Sequence, residues 1–218
     1  MLDLLLPRRC ASCGAAGASL CSGCRGAFTR LAPPLCERCG SPGAWSISRC
    51  AECRGRRLSF ASARAAIVYD DLARRLVSAW KEGGQRHLAR IAASIVVESL
   101  ARPAVAALVF VPADRNRSLE RGYRPAESLA RELGRQWGLP VEPLVCRVRS
   151  VGPQRGLGLK ERRHNVSGAF APAGVSPPHV CLVDDVYTSG ATAAAAASAL
   201  RKGGARNVEV VTFARAVR

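Results

Sequence analysis

The sequence predicts an α/β fold: a mainly parallel β-sheet covered by helices, preceded by a small cysteine-rich module. Three observations predict it. Eight of the ten cysteines fall before residue 54, as four C-x-x-C pairs. After Phe60 short apolar runs alternate with segments of helical periodicity. Those apolar runs are nearly continuous rather than alternating, which is how strands buried on both faces read. The 218 residues suffice for one ordinary domain plus a small module. The boundary is placed near residue 58, giving a module over 1–58 and a sheet domain over 59–218.

The cysteine pairs are Cys10/Cys13, Cys21/Cys24, Cys36/Cys39 and Cys50/Cys53. Each pair lets two sulfurs face one ion, and two pairs complete a tetrahedral thiolate site. The expectation is two structural zinc sites, each held by four cysteines, with no open ligand position. The competing reading is a disulfide framework in a secreted module. It is disfavoured because "MLDLLLPRRC" has too short an apolar run for a secretory signal, with its charges after that run. Sequential pairing gives two consecutive zinc ribbons; cross-braced pairing is the alternative, and short spacers favour the sequential one. A segment of about 55 residues with few large apolar side chains needs the metal to fold. Cys146 and Cys181 sit inside apolar runs and read as small core residues.

The sheet domain reads element by element. "ARAAIVY" is a strand, and "LARRLVSAWKEGG" is a helix stopped by two glycines. "HLARIAASIVVESLA" places Leu88, Ile91, Ile95 and Leu100 on one helical face before Pro103. "AALVFVP" is a short buried strand. "RPAESLARELGRQWG" steps Leu129, Leu133 and Trp137 by four, with Pro125 at the first helical position and Gly138 at the end. "VEPLVCRV" reads as a strand, and a basic, glycine-containing stretch follows it. "HVCLVD" and "NVEVVTFAR" are strands flanking an alanine-rich helix. The apolar segment "ASIVVESLARPAVAALVFVP" is interrupted by Glu98, Arg102 and Pro103, too often to span a bilayer. The expectation is a soluble, cytoplasmic protein.

Net charge is +17, which favours polyanionic partners or simply reflects a solvated arginine-rich surface. Aromatics are only 5%, so base-stacking surfaces are sparse. The chemistry concentrates in "CLVDDVYTSGAT". Ligands of such sheets bind at the C-terminal ends of strands. Asp184 and Asp185 fall there, and two adjacent acids need donors or a cation to compensate them. The hydroxyl turn opens a helix whose N–H groups and dipole favour an anion. Thr188, Ser189 and Thr192 add hydroxyls, and Gly190 allows close backbone approach. A diol grip beside a phosphate grip describes a 5-phosphoribosyl group.

That stretch resembles the signature of type I phosphoribosyltransferases. Together with "VPADRNRSLERGYRPAESLA", "PQRGLGLKERRHNVSGAF" and the four C-x-x-C pairs, the chain resembles the ComF family along nearly its whole length. The resemblance implies a double zinc ribbon on a type I phosphoribosyltransferase-like sheet. It implies a role in handling single-stranded DNA during natural transformation, with phosphoribosyl pyrophosphate and Mg²⁺ as ligands. Single-stranded DNA and a DNA-uptake helicase or recombination mediator are the implied partners. By resemblance, Asp184 and Asp185 hold the ribose hydroxyls. Val186, Tyr187, Thr188, Ser189, Gly190, Ala191 and Thr192 wrap the 5′-phosphate. Ala113, Asp114 and Arg115 face the pyrophosphate with Mg²⁺, joined by Lys160, Arg162 and Arg163 from a loop, and by Lys81 and Arg121. Two departures stand out. Arg124-Pro125 replaces the family's usual Asn-Gln, and Val151 replaces a threonine, which puts the acceptor side in doubt. No general base or base-recognition element is legible. Whether transfer to an acceptor occurs stays open, beside a non-catalytic DNA- or protein-binding factor and a sugar-phosphate sensor.

Overall fold

The computed structural model describes residues 8–114, 122–149 and 168–217. Strands β1 (Ser62–Val68), β2 (Ala107–Phe110), β5 (His179–Tyr187) and β6 (Asn207–Arg215) form a parallel sheet in the order β1-β6-β5-β2. A separate antiparallel pair joins β3 (Val145–Arg147) to β4 (Phe170–Pro172). The expected parallel α/β architecture with an N-terminal ribbon module is the one observed.

The helices follow from their sequences. In α2 (Asp71–Lys81), the Asp70 carboxylate caps the start by accepting the Ala73 N–H at 2.9 Å. Ala73, Leu76, Val77 and Trp80 then form the buried stripe at helical spacing. Helix α3 (Leu88–Ser99) buries Leu88, Ala92, Ile95 and Val96. Helix α4 (Pro125–Trp137) starts on its proline and ends at Gly138, whose φ of 63° is left-handed. Helix α5 (Ala191–Lys202) presents alanines, which let it lie close against the sheet.

Two cores result. The first lies between one sheet face and α2, α3 and α4, and includes Cys181 and Val183. The second lies between the other face, α5 and the second half of the cysteine module, and includes Val180 and Leu182. Helix α4, between β2 and β5, therefore covers one face, and α5, between β5 and β6, covers the other. The C-terminal ends of β2 and β5 flank a switch point, the usual ligand crevice of such sheets.

The cysteine module clasps the sheet edge. Its first ribbon carries the short helix α1 (Ser22–Ala27) and sends Phe28 into the first core. Its second ribbon sends Cys36, Cys39 and Cys53 into the second. Between them, Leu31 N–H donates to Ala66 O at 3.0 Å and Val68 N–H to Thr29 O at 2.8 Å, so the linker pairs with edge strand β1. An otherwise open edge is covered.

Two elements depart from the sequence reading. The run "VEPLVCRV" contributes only Val145–Arg147 to a strand. Pro143 lacks an N–H donor and splits it. The preceding residues instead join β2, with Leu108 N–H donating to Pro140 O and Glu142 N–H to Leu108 O, each at 2.9 Å. Conversely, Phe170–Pro172 forms β4 at the end of what reads as an aperiodic basic stretch. No helix among the described residues is long and apolar enough to cross a membrane.

Candidate functional site

The two cysteine groups are consecutive. Cys10, Cys13, Cys21 and Cys24 bring their sulfurs within 4.8 Å of one another, as do Cys36, Cys39, Cys50 and Cys53. No disulfide joins them, and Cys39–Cys50, Cys36–Cys53 and Cys13–Cys21 lie 3.4, 3.7 and 3.8 Å apart. A zinc tetrahedron with bonds of about 2.3 Å has sulfur–sulfur edges of about 3.8 Å, so the donor sets fit zinc. The sequential pairing holds.

The two ribbons repeat one local design. Gly14 N–H donates to Cys10 O at 2.8 Å and Gly40 N–H to Cys36 O at 2.9 Å. Cys21 N–H reaches Cys10 Sγ at 3.4 Å, and Cys50 N–H reaches Cys36 Sγ at 3.3 Å. Both glycines have positive φ, 80° and 70°. The repeated C-x-x-C-G pentapeptide is the sequence signal for this turn. Burial raises the Cys10 and Cys36 thiols, but the backbone N–H donors outweigh it and bring each down to about 6. That environment favours thiolate, the form that binds metal.

The acid pair lies near the C-terminal end of β5. Asp184 Oδ1 accepts the N–H of Asp185 at 2.9 Å. Lys81, the last residue of α2, places Nζ 2.7 Å from Asp185 Oδ1, with the two side chains 26% and 11% exposed. Burial and then the neighbouring Asp185 charge push Asp184 up to about 7, against opposing pulls from Lys81, the Asp185 N–H and Arg147. Burial alone would lower Lys81, but Asp185 and Asp184 raise it. One lysine thus under-compensates two carboxylates, which suits hydroxyl donors or a cation as ligand.

The hydroxyl turn follows directly. Alternation along β5 would put Tyr187 with Val183, yet Tyr187 packs in the second core and Val186 against the first. The pleat therefore slips at the acid pair, and the Tyr187 ring lies under the turn. Gly190 adopts φ 70°, and a Cβ there would run into the Tyr187 hydroxyl. Only glycine fits both constraints. Ala191 N–H donates to Ser189 Oγ at 3.3 Å, and Ala194 N–H to Gly190 O at 2.9 Å. Thr188 and Thr192 are half-buried beside them.

Ala113 and Asp114 leave β2 next to this end of β5, since Phe110 pairs with Val183 and Val111 N–H donates to Val183 O at 3.0 Å. They line a cavity of about 1120 Å³ with Tyr123, Arg124, Arg131 and Arg147. Arg147 Nε donates to Pro112 O at 3.2 Å, and its guanidinium lies 4.7 Å from the Phe170 ring centroid. Lys81, which the resemblance offers as a weaker candidate for facing pyrophosphate, pairs with Asp185. Arg115, Arg121, Lys160, Arg162 and Arg163 lie outside the described residues.

Three arginines escape the sequence reading. Arg147 faces the cavity. Arg56 Nη2 donates to Ser189 O at 2.5 Å. Arg215, only 1% exposed, donates through Nη1 to Cys39 O and pairs through Nη2 with Glu52 Oε2, both at 2.6 Å. A charge closing the apolar strand "NVEVVTFAR" is the available hint.

Residues 1–54 match the family model described as a double zinc ribbon domain. The chain is 40% identical over 116 residues to "Competence protein F" of Haemophilus influenzae, covering 50% of each protein. That match spans about half the length of the relative. It is 27% identical over 214 residues to "Competence protein ComFC" of Streptococcus pneumoniae, covering 98% of this chain and 92% of that one. A distant likeness among solved structures is the glutamine phosphoribosylpyrophosphate amidotransferase of B. subtilis, with TM-score 0.39 and 20% identity, over 60% of this chain and 26% of that one. With a double zinc ribbon at its start, one competence protein matching half of it and a second matching it along nearly its whole length, the chain is similar to proteins of the ComF family.

Proposed function

We propose that this protein binds phosphoribosyl pyrophosphate with Mg²⁺ and acts in handling single-stranded DNA during natural transformation. One observation carries the ligand reading: an under-compensated acid pair is followed within a few residues by a glycine turn opening a helix. Asp184 and Asp185 accept the ribose hydroxyls. Backbone N–H groups from Val186 to Thr192 and the α5 dipole take the 5′-phosphate. Asp114, with the acid pair, would hold Mg²⁺, which supplies charge neutralisation to the pyrophosphate when bound. Arg147, which lines the same cavity as Asp114, supports that reading by adding positive charge there.

If transfer follows binding, positive charge develops at the ribosyl carbon as pyrophosphate departs. Preorganised charge is then the main catalytic resource, with carboxylates beside the cation and arginines near the leaving group. The role in competence rests on the relatives' names, and the +17 charge supports an anionic partner such as single-stranded DNA.

Isothermal calorimetry tests the ligand. Wild type should bind phosphoribosyl pyrophosphate only with Mg²⁺, and a D184N/D185N double variant should lose binding. Absence of wild-type binding rejects the reading. Pyrophosphate release against pooled nucleobases and amines then separates an enzyme from a sensor. Single-stranded DNA affinity should fall steeply with salt, and salt-insensitive or absent binding removes the DNA partner.

A further inference from the structure

The second ribbon touches the phosphate turn at two independent points. The first is buried. Arg215 donates to Cys39 O at 2.6 Å, and its Nη2 lies 3.7 Å from Cys39 Sγ and 2.6 Å from Glu52 Oε2. Its guanidinium lies 4.6 Å from the centroid of the Tyr187 ring, whose hydroxyl abuts Gly190. The second is Arg56, three residues beyond Cys53. Its N–H donates to Cys53 O at 3.2 Å, and its guanidinium holds Ser189 O at 2.5 Å. A ligand cysteine and the turn therefore share one arginine and one aromatic ring, and a second arginine ties the ribbon backbone to the turn carbonyl.

The first ribbon is anchored elsewhere. Ser12 Oγ donates to Leu72 O and Arg75 to Ser12 O, each at 3.4 Å, and Arg25 pairs with Glu98 on α3. These contacts run to α2 and α3, on the other side of the sheet from α5. The two metal sites, alike in local design, differ in what they touch.

We propose that Arg215 and Arg56 are positioning residues that couple the second zinc site to the phosphate turn, so that metal in that site sets the turn's geometry and its affinity for phosphate. Outer-sphere groups that bond a ligating thiolate orient it and tune its metal. Here the same group also fixes the ring beneath the turn. Linkage then makes the effect reciprocal: a ligand in the turn must strengthen metal retention at the second site by the same factor. The first site carries no such coupling. The proposal rests on the reading of the turn as a phosphate site.

The test uses the full, zinc-loaded chain as wild type, Arg215→Lys and Arg56→Met. Three quantities are read: amide hydrogen exchange over residues 187–192, chelator-driven zinc release, and calorimetric binding of phosphoribosyl pyrophosphate with Mg²⁺. Each variant should lose protection in the turn and release one of its two zinc ions roughly tenfold faster. Each should bind the ligand roughly fivefold more weakly or worse. In wild type, saturating ligand should slow release of one zinc and leave the other unchanged, a readout that a merely structural arginine would not move. Arg56→Met keeps the test open if the buried Arg215 variant fails to fold. If wild type binds the ligand while Arg56→Met matches it in affinity, exchange and zinc release, the coupling is wrong. If wild type binds no ligand, the phosphate reading fails instead, and exchange and zinc release alone decide the coupling: unchanged values in the variants overturn it.

Discussion

Lys81 Nζ lies 2.7 Å from Asp185 Oδ1, joining the last residue of α2 to the acid pair of β5. The lysine holds two adjacent carboxylates beside each other in a partly dry site. Lys81→Met should destabilise the chain by about 1–3 kcal/mol at pH 8, less than a fully buried broken pair costs, because water reaches the ammonium. A double-mutant cycle with Asp185→Asn, read by urea midpoints, measures the coupling. A cycle energy near zero would mean that the pair contributes nothing.

Asp184 gives the site a pH dependence. Burial and Asp185 raise its carboxyl from 3.8 to about 7. Between those values the folded chain binds more protons than the unfolded chain, so stability falls as pH rises through that window. Asp184→Asn should therefore raise the melting temperature relative to wild type at pH 8 and lose that advantage at pH 4. Ligand binding that requires the carboxylate should strengthen from pH 6 to pH 8 with proton release. Calorimetry in buffers of different ionisation enthalpy counts that proton.

Gly190 is constrained by both φ and space. Gly190→Ala should cost about 1–2 kcal/mol from the left-handed backbone alone, before the clash with Tyr187 is added. Tyr187→Phe in the same chain should return part of the clash but none of the backbone cost. Thermal melts of the two variants separate these contributions.

The ribbons predict unequal consequences of metal loss. Cys13 is exposed, whereas Cys36, Cys39 and Cys53 belong to the second core with Phe60, Val180 and Leu182. Cys13→Ser should lower zinc content from two equivalents towards one and leave the sheet's near-ultraviolet circular dichroism intact. Cys53→Ser should lower zinc similarly but disturb the second core, with a cost of several kcal/mol typical of lost structural metal. Metal analysis paired with circular dichroism reads both.

The sequence by itself determined the eight cysteines of the zinc ribbons, the helices and parallel strands after Phe60, and the acid pair with its turn. These are local: C-x-x-C spacing, apolar periodicity and adjacent carboxylates act over a few residues. Pro143 also acts locally, yet the run it splits reads as a single strand, because apolarity masks the missing donor. Tertiary structure alone decided the rest. That Lys81 would meet Asp185 depends on α2 crossing the sheet, over a hundred residues of chain between them. That Arg215 would join Cys39 to Tyr187 depends on parallel pairing of β5 with β6 and on the ribbon folding over edge strand β1. An ion pair between distant residues leaves no periodic trace in sequence, because only the packing of elements brings its charges within bonding distance.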